Sequence, residues 1–244
     1  MKTRLYITLA LLLLGALAPP AASAQDDYSL FRARAGNASL LYRGHKAFDY
    51  TIAYNGTYWW SDPEFHEGEV IYNEKRYEGI YLNIDAARQD LVVRTGYGVS
   101  LKALERSLVR ECSFAGKRFL NLQYIKGPDA PLGWWEVLYD GQCRILRRVN
   151  KSLEQDIEGR KQEQTHYAGE FRYNVYQVFT WSADYLYESP EGELKPLKRR
   201  GDVLRLFDKE RRRQVRRSLH ERDAMGRLPF DIYCVEAAKY LESR

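Results

Sequence analysis

The stretch at residues 68–94 constrains the fold more than any other part of the sequence. Apolar and polar residues alternate there on both sides of a polar turn at residues 73–76, and Ile80, Leu82 and Ile84 fall on one face of an extended chain. Alternation with a period of two, with many β-branched and aromatic residues, is typical of half-buried β-strands. We therefore predict consecutive β-strands in this stretch.

Three other segments have the pattern of β-hairpins. Residues 49–60 contain an Asn-Gly pair, residues 134–149 contain an Asp-Gly pair, and residues 184–194 surround a Pro-Glu-Gly turn. Asn-Gly and Asp-Gly pairs between alternating segments predict two-residue hairpin turns. The sequence therefore predicts a mainly β (α+β) fold, in which an antiparallel meander forms a sandwich or a partly open barrel, with a C-terminal helical pair.

The N-terminus has the pattern of a secretory signal peptide. Lys2 and Arg4 precede an apolar run at residues 6–18, and the small residues 22–24 form a cleavage site before Gln25. The apolar run is shorter than the ~20 residues that span a bilayer. We expect a periplasmic or secreted protein with no transmembrane span after signal cleavage.

The mature chain is expected to have two parts. An antiparallel β domain at residues 25–197 precedes a basic helical tail at residues 198–244, which we expect to pack on it. In the tail, Asp202 is predicted to be the N-cap of a helix that continues to about Leu219. A second helix is predicted from about Asp231.

Positive charge is concentrated near this tail. Residues 195–222 include 12 basic and four acidic residues, a balance of +8, whereas the rest of the mature chain sums to −5. This asymmetry indicates contact with an anionic surface or another envelope protein, and no nucleic acid is expected for an exported chain. The alternative is a solvated helical face that the acidic β portion balances. The residues predicted to make the contact are Arg199, Arg200, Arg211, Arg212, Arg213, Arg216 and Arg217.

Motifs for catalysis or cofactor binding are missing from the sequence. It has no Gly-x-Ser-x-Gly elbow, no phosphate-binding glycine loop and no His-Glu-x-x-His. Residues 61–69 gather four carboxylates and one histidine, but their spacing matches no known metal motif, so we interpret them as a solvated connection. Cys112, Cys143 and Cys234 allow one disulfide from three pairings, and we predict a structural role for all three. No catalytic residue, metal ligand or cofactor is predicted.

Several strand motifs together resemble a known group of proteins. These motifs are a Gly-x-Val-x-Tyr strand at residues 68–72, a Tyr-containing strand that ends near Ile84-Asp85, and an Asp-Leu-Val-Val strand at residues 90–93. In this order they resemble uncharacterised exported β-rich proteins of Bacteroidota, and the hairpin at residues 134–148 and the helical tail extend the resemblance. It implies an exported β-rich fold, and the group has no assigned activity.

These observations favour a binding role over catalysis. We expect an exported, non-catalytic cell-envelope protein that acts as an interaction module and binds another envelope component. The alternative is a barrel-type carrier of a small apolar ligand, which would need about eight strands. A hydrolase is the least favoured, because local catalytic motifs are missing although catalytic groups can converge in space.

Overall fold

A computed structural model describes most of the chain after residue 38. It divides the chain into two compact units, Met1–Leu40 and Leu41–Arg244. Of the first unit only Ser39 and Leu40 are described, so the predicted signal peptide lies outside the described residues. No helix within the described ranges is long and apolar enough to cross a membrane. The described ranges are 39–95, 100–157, 175–222 and 228–242.

Eleven strands of the second unit form one antiparallel sheet, which confirms the mainly β prediction. The strand order is β1-β5-β4-β3-β2-β6-β7-β8-β9-β10-β11, with a meander through most of the sheet. The strands are β1 His45–Lys46, β2 His66–Tyr72, β3 Lys75–Asp85, β4 Asp90–Arg94, β5 Leu101–Ala103, β6 Val109–Phe114, β7 Lys117–Asn121, β8 Trp134–Asp140, β9 Arg144–Gln155, β10 Gln177–Glu188 and β11 Leu194–Pro196.

The β2–β3 hairpin shows why the alternating sequence folds in this way. Ile80, Leu82 and Ile84 of β3 are all buried, as their shared face predicts. The turn is limited to Asn73 and Glu74, whose φ angles of 49° and 60° lie in the left-handed region. Two successive residues with positive φ make a turn whose twist matches that of the two strands.

The sheet is curved but not closed. The β3–β4 turn reaches the middle of β9, where Ala86 O accepts a hydrogen bond from Lys151 N at 3.2 Å. The Gln89 side chain donates to Val149 O at 2.8 Å and accepts from Trp134 N at 3.0 Å. Since β3 and β9 are far apart in the strand order, these contacts require strong curvature. One partly open sheet results, whose outer strands β1 and β11 do not pair with each other.

Four helices accompany the sheet in the described residues, and two 3-10 turns occur at Leu40–Arg43 and Arg106–Leu108. The helices are α1 Leu122–Lys126, α2 Arg200–Leu204, α3 Lys209–Arg222 and α4 Phe230–Glu242. Helices α2, α3 and α4 pack on the face of the sheet that carries Cys143 and Ile145, and together they form one hydrophobic cluster. The helical contributors are Val203, Phe207, Val215, Leu219, Tyr233, Cys234, Ala237 and Ala238.

A buried ion network joins α4 to the sheet. Glu136 of β8 is fully buried, and its Oε2 accepts hydrogen bonds from Arg147 Nη2 at 2.6 Å and Nε at 2.9 Å. Arg147 Nη1 also donates to Asp231 of α4 at 3.2 Å. The Lys117 ammonium lies 3.3 Å from Glu136 Oε1, within ion-pair distance but not aligned for a hydrogen bond. This network fixes the start of α4 against β8 and β9.

Two sequence predictions about secondary structure are wrong. The segment at residues 49–60 is not a hairpin, because Asn55 bridges to Val178 of β10 while Trp59 bridges to Asp85 at the end of β3. The helix predicted from Asp202 to Leu219 is broken into α2 and α3. Asp202 is not its N-cap, since Arg199 holds that position and Asp202 is the third helical residue. The helix predicted from about Asp231 is confirmed as α4.

The three cysteines are buried free thiols. Cys143 and Cys234 belong to the cluster between helices and sheet, and Cys112 lies in β6. Burial raises the pKa of Cys143 to about 11 and that of Cys234 to about 12. These thiols therefore act as small apolar side chains rather than as nucleophiles.

Candidate functional site

The helical tail forms a basic groove between α2, α3 and α4. The groove has a volume of about 770 Å³, and none of the described residues that line it is acidic. We call it the arginine groove. Its lining residues are Arg200, Gly201, Leu204, Arg213, Arg216, Arg217, His220 and Tyr233.

Helix α3 supplies most of the charge in the arginine groove. Arg213, Arg216, Arg217 and His220 recur at intervals of three and four residues, which places them on one face of a helix. All four side chains are exposed. Within the described part of the chain, Arg213, Arg216 and Arg217 have no carboxylate within ion-pair distance. Like charges at this spacing destabilise a helix slightly, so a bound anion would relieve their repulsion.

Arg200 forms the opposite wall of the groove. Its guanidinium lies 5.0 Å from the centre of the Tyr233 ring, in a cation–π contact, and donates a hydrogen bond to Leu228 O at 2.8 Å. These contacts hold the planar group in place, and a held guanidinium loses less entropy when it binds an anion.

The short helix α2 is fixed by Asp202. Its carboxylate accepts hydrogen bonds from the backbone N–H groups of Lys198 and Arg199, both at 3.1 Å. Desolvation alone would raise the pKa of Asp202, but these two hydrogen bonds and the nearby arginines keep it below its ordinary value. The carboxylate stays ionised and keeps the start of α2 beside the groove.

Three of the seven predicted arginines have other contacts. Arg212 donates to Leu204 O and to Phe207 O, both at 2.9 Å, and so satisfies carbonyl groups at the end of α2 and in the connection that follows it. Arg211 donates to Tyr240 O of α4. Arg199 is exposed, and its Nε lies 3.6 Å from Asp202. Arg211 and Arg212 therefore connect the helices, and the structure places Arg199 outside the groove lining.

Four residues that line the groove are not among the predicted contact residues: Gly201, Leu204, His220 and Tyr233. The spacing of His220 after Arg216 and Arg217 was a usable signal in the sequence, because it continues the same helical face. Tyr233 lies on another helix, so only the packing of α4 could reveal its place.

Other polar clusters of the described residues give weaker evidence of a binding site. In the connection at residues 61–69, His66 Nε2 lies 3.2 Å from Asp62 Oδ1. Within the described ranges, no group of three or more His, Cys, Asp or Glu side chains is placed to hold a metal ion. The arginine groove is therefore the candidate functional site of the described residues.

Comparisons with known proteins add no family to this description. No protein-family model, no curated protein and no solved structure matches the chain.

Proposed function

We propose that this chain is an exported, non-catalytic interaction module that binds an anionic component of the cell envelope. The observation that carries the proposal is the arginine groove, in which four arginines and one histidine meet without an acidic residue in the described lining. The signal-peptide pattern of the first 24 residues supports export.

The chemistry of the groove favours an anionic group with several oxygens. A guanidinium is planar, is always charged, and can donate two parallel hydrogen bonds to a carboxylate or phosphate. Four of them around one groove suit repeated anionic groups better than one small ion. Because three of the four are exposed, we expect binding that weakens as ionic strength rises.

Vesicle co-sedimentation tests this proposal. The exported protein is mixed with phosphatidylglycerol vesicles or with neutral phosphatidylcholine vesicles at two salt concentrations. Binding to the anionic vesicles is expected, with weaker binding at high salt. Each basic residue near an anionic surface contributes about 1 kcal/mol, so the triple variant R213Q/R216Q/R217Q should bind about a hundredfold more weakly.

A matched control removes the same charge elsewhere. The variant R43Q/R76Q/R110Q changes three exposed arginines outside the helical tail. It should keep most of the binding. Equal loss of binding in both triple variants would contradict the proposal. So would an unaltered protein that binds neither the anionic vesicles nor, in a second assay, any acidic protein of an envelope extract.

The alternative function, a barrel-type carrier of a small apolar ligand, stays a prediction. It would require an apolar enclosure, and the sheet is not closed. We therefore place the interaction module first.

A further inference from the structure

The face of α2 that lines the arginine groove carries a glycine. Gly201 lines the groove together with Leu204, three residues later, so position 201 lies on the same helical face. A Cβ at this position would have no atom within 4 Å. Glycine is a poor helix former, and alanine would suit α2 better. The groove is therefore open at α2, and a ligand can lie inside it.

The volume of the groove suits a compact ligand. At about 770 Å³ it lies within the range of sites that bind small molecules. Leu204 and Tyr233 add apolar and aromatic surface to a lining that is otherwise mostly cationic. We therefore expect one compact head group to enter the groove, in addition to any contact that its rim makes with a broader surface.

Three arginines of α3 lie close together on the groove. Arg213 precedes Arg216 by three residues and Arg217 by four, so its Cβ lies about 5–6 Å from each of theirs. All three side chains are exposed. Their guanidinium groups can therefore turn towards one ligand, and the repulsion among them is relieved most by a ligand that carries several negative charges.

Linked phosphates match these three arginines better than a carboxylate does. A carboxylate has only two oxygen acceptors, whereas linked phosphates have several terminal oxygens and more than one charge. The outer phosphates of a chain of three are about one helical turn apart, so arginines one turn apart can each pair with one of them. The spacing on α3 thus favours a ligand with more than one phosphate.

We propose that the arginine groove takes up a compact head group that carries two or more linked phosphates. This inference rests on the proposed function and narrows it, because the ligand enters the groove and its phosphates pair with Arg213, Arg216 and Arg217. Gly201 leaves the space that the head group occupies. The same chemistry can come from a diphosphate lipid or from a soluble polyphosphate.

Soluble phosphates test this site on the full exported protein. Titration calorimetry at pH 7 and constant ionic strength compares inorganic tripolyphosphate with orthophosphate. We expect one site that binds tripolyphosphate at least about tenfold more tightly, because a further charged hydrogen bond strengthens binding by about that factor. The variant R213Q/R216Q/R217Q should lose this binding, whereas the matched control variant with three arginines changed outside the tail should keep it.

Substitutions at Gly201 separate entry into the groove from attraction to its charge. Gly201→Trp keeps every charge but occupies the open space, so tripolyphosphate should bind at least about tenfold more weakly as it loses contact with the arginines. Gly201→Ala leaves most of the space and should bind like the unaltered protein. Circular dichroism checks that each variant is folded, and the smaller Gly201→Leu replaces the tryptophan variant if that one is not.

Vesicles distinguish the two sources of linked phosphates. Vesicles that contain a polyprenyl diphosphate are compared with phosphatidylglycerol vesicles of equal surface charge. A preference for the diphosphate vesicles that Gly201→Trp removes supports a lipid head group. Tripolyphosphate binding without this preference supports a soluble polyphosphate.

Two results would overturn this inference and leave the proposed function standing. They are equal affinities for the two soluble phosphates, and full tripolyphosphate affinity in a folded Gly201→Trp variant, in a protein that still binds anionic vesicles. A protein that binds neither the vesicles nor the soluble phosphates would count against both.

Discussion

Replacing Lys151 with methionine should stabilise this protein at neutral pH. The side chain is 4% exposed, and desolvation lowers the pKa of its amine from 10.5 to about 8. Because the amine holds its proton less tightly in the folded protein than in the unfolded chain, the charge opposes folding. The difference between these pKa values corresponds to about 3 kcal/mol. Methionine keeps a similar length without the charge, so a gain of up to about 3 kcal/mol is expected at pH 7.

The stability difference between the two proteins should depend on pH. Below pH 8 the amine is charged in both states, and its full unfavourable contribution is present. Between pH 8 and 10.5 the folded protein loses this proton before the unfolded chain does, so the contribution fades as pH rises. The advantage of the methionine variant should therefore be largest at pH 7 and shrink towards pH 10.5.

Urea denaturation of both proteins at several pH values measures this difference. Other titrating groups are common to both proteins and cancel when their free energies of unfolding are subtracted. Lys75→Met is the control, and it should change the free energy of unfolding by less than about 0.5 kcal/mol because that lysine is exposed. A methionine variant that is less stable at pH 7, or whose advantage is the same at every pH, would refute this reasoning.

Three further predictions concern a buried carboxylate, two glycines and the cysteine thiols. Glu136→Gln should destabilise the protein by about 2 kcal/mol in urea denaturation, because Arg147 loses its fully buried carboxylate partner and keeps only the partly exposed Asp231; no measurable loss would contradict this. Gly68→Ala should lower the unfolding temperature, because its Cβ would lie 2.1 Å from Ser113 O, whereas Gly201→Ala in α2 has no atom within 4 Å and should be neutral or stabilising. The three cysteines should react with a thiol reagent only after denaturation, because burial raises each thiol pKa, and rapid labelling of the folded protein would argue against buried thiols.

Alternation and turn residues together predicted one hairpin correctly and another wrongly. The β8–β9 hairpin forms at residues 134–155, around the Asp-Gly pair that predicted it. Both signals were also present at residues 49–60, but Tyr50, Tyr54 and Tyr58 gather around Phe179 of β10 instead. Alternation shows which side chains share a face, but it does not identify the strand that will pair with them.

The break between α2 and α3 also had a signal in the sequence. Asp208 accepts hydrogen bonds from the backbone N–H groups of Glu210, at 3.1 Å, and Arg211, at 2.8 Å. It therefore caps the start of α3, and the polar centre of the predicted helix marks this interruption. Asp202 was preferred as a cap because aspartate suits both positions and a sequence pattern does not show which one the chain uses.

The candidate sites were predictable to different degrees. Charge and helical spacing identified Arg213, Arg216 and Arg217, since both features are local. The roles of Arg211 and Arg212 depend on where α2 ends and where α4 packs, which no local pattern records.

The two outer strands of the open sheet affect how molecules of this protein meet each other. A free edge exposes unpaired backbone groups, and a second copy could extend the sheet there. However, β1 has only two residues, and β11 has three and ends at Pro196, which has no N–H to donate. Few hydrogen bonds are therefore available for intermolecular strand addition. Strand addition at β1 or β11 themselves would therefore form only a short ladder.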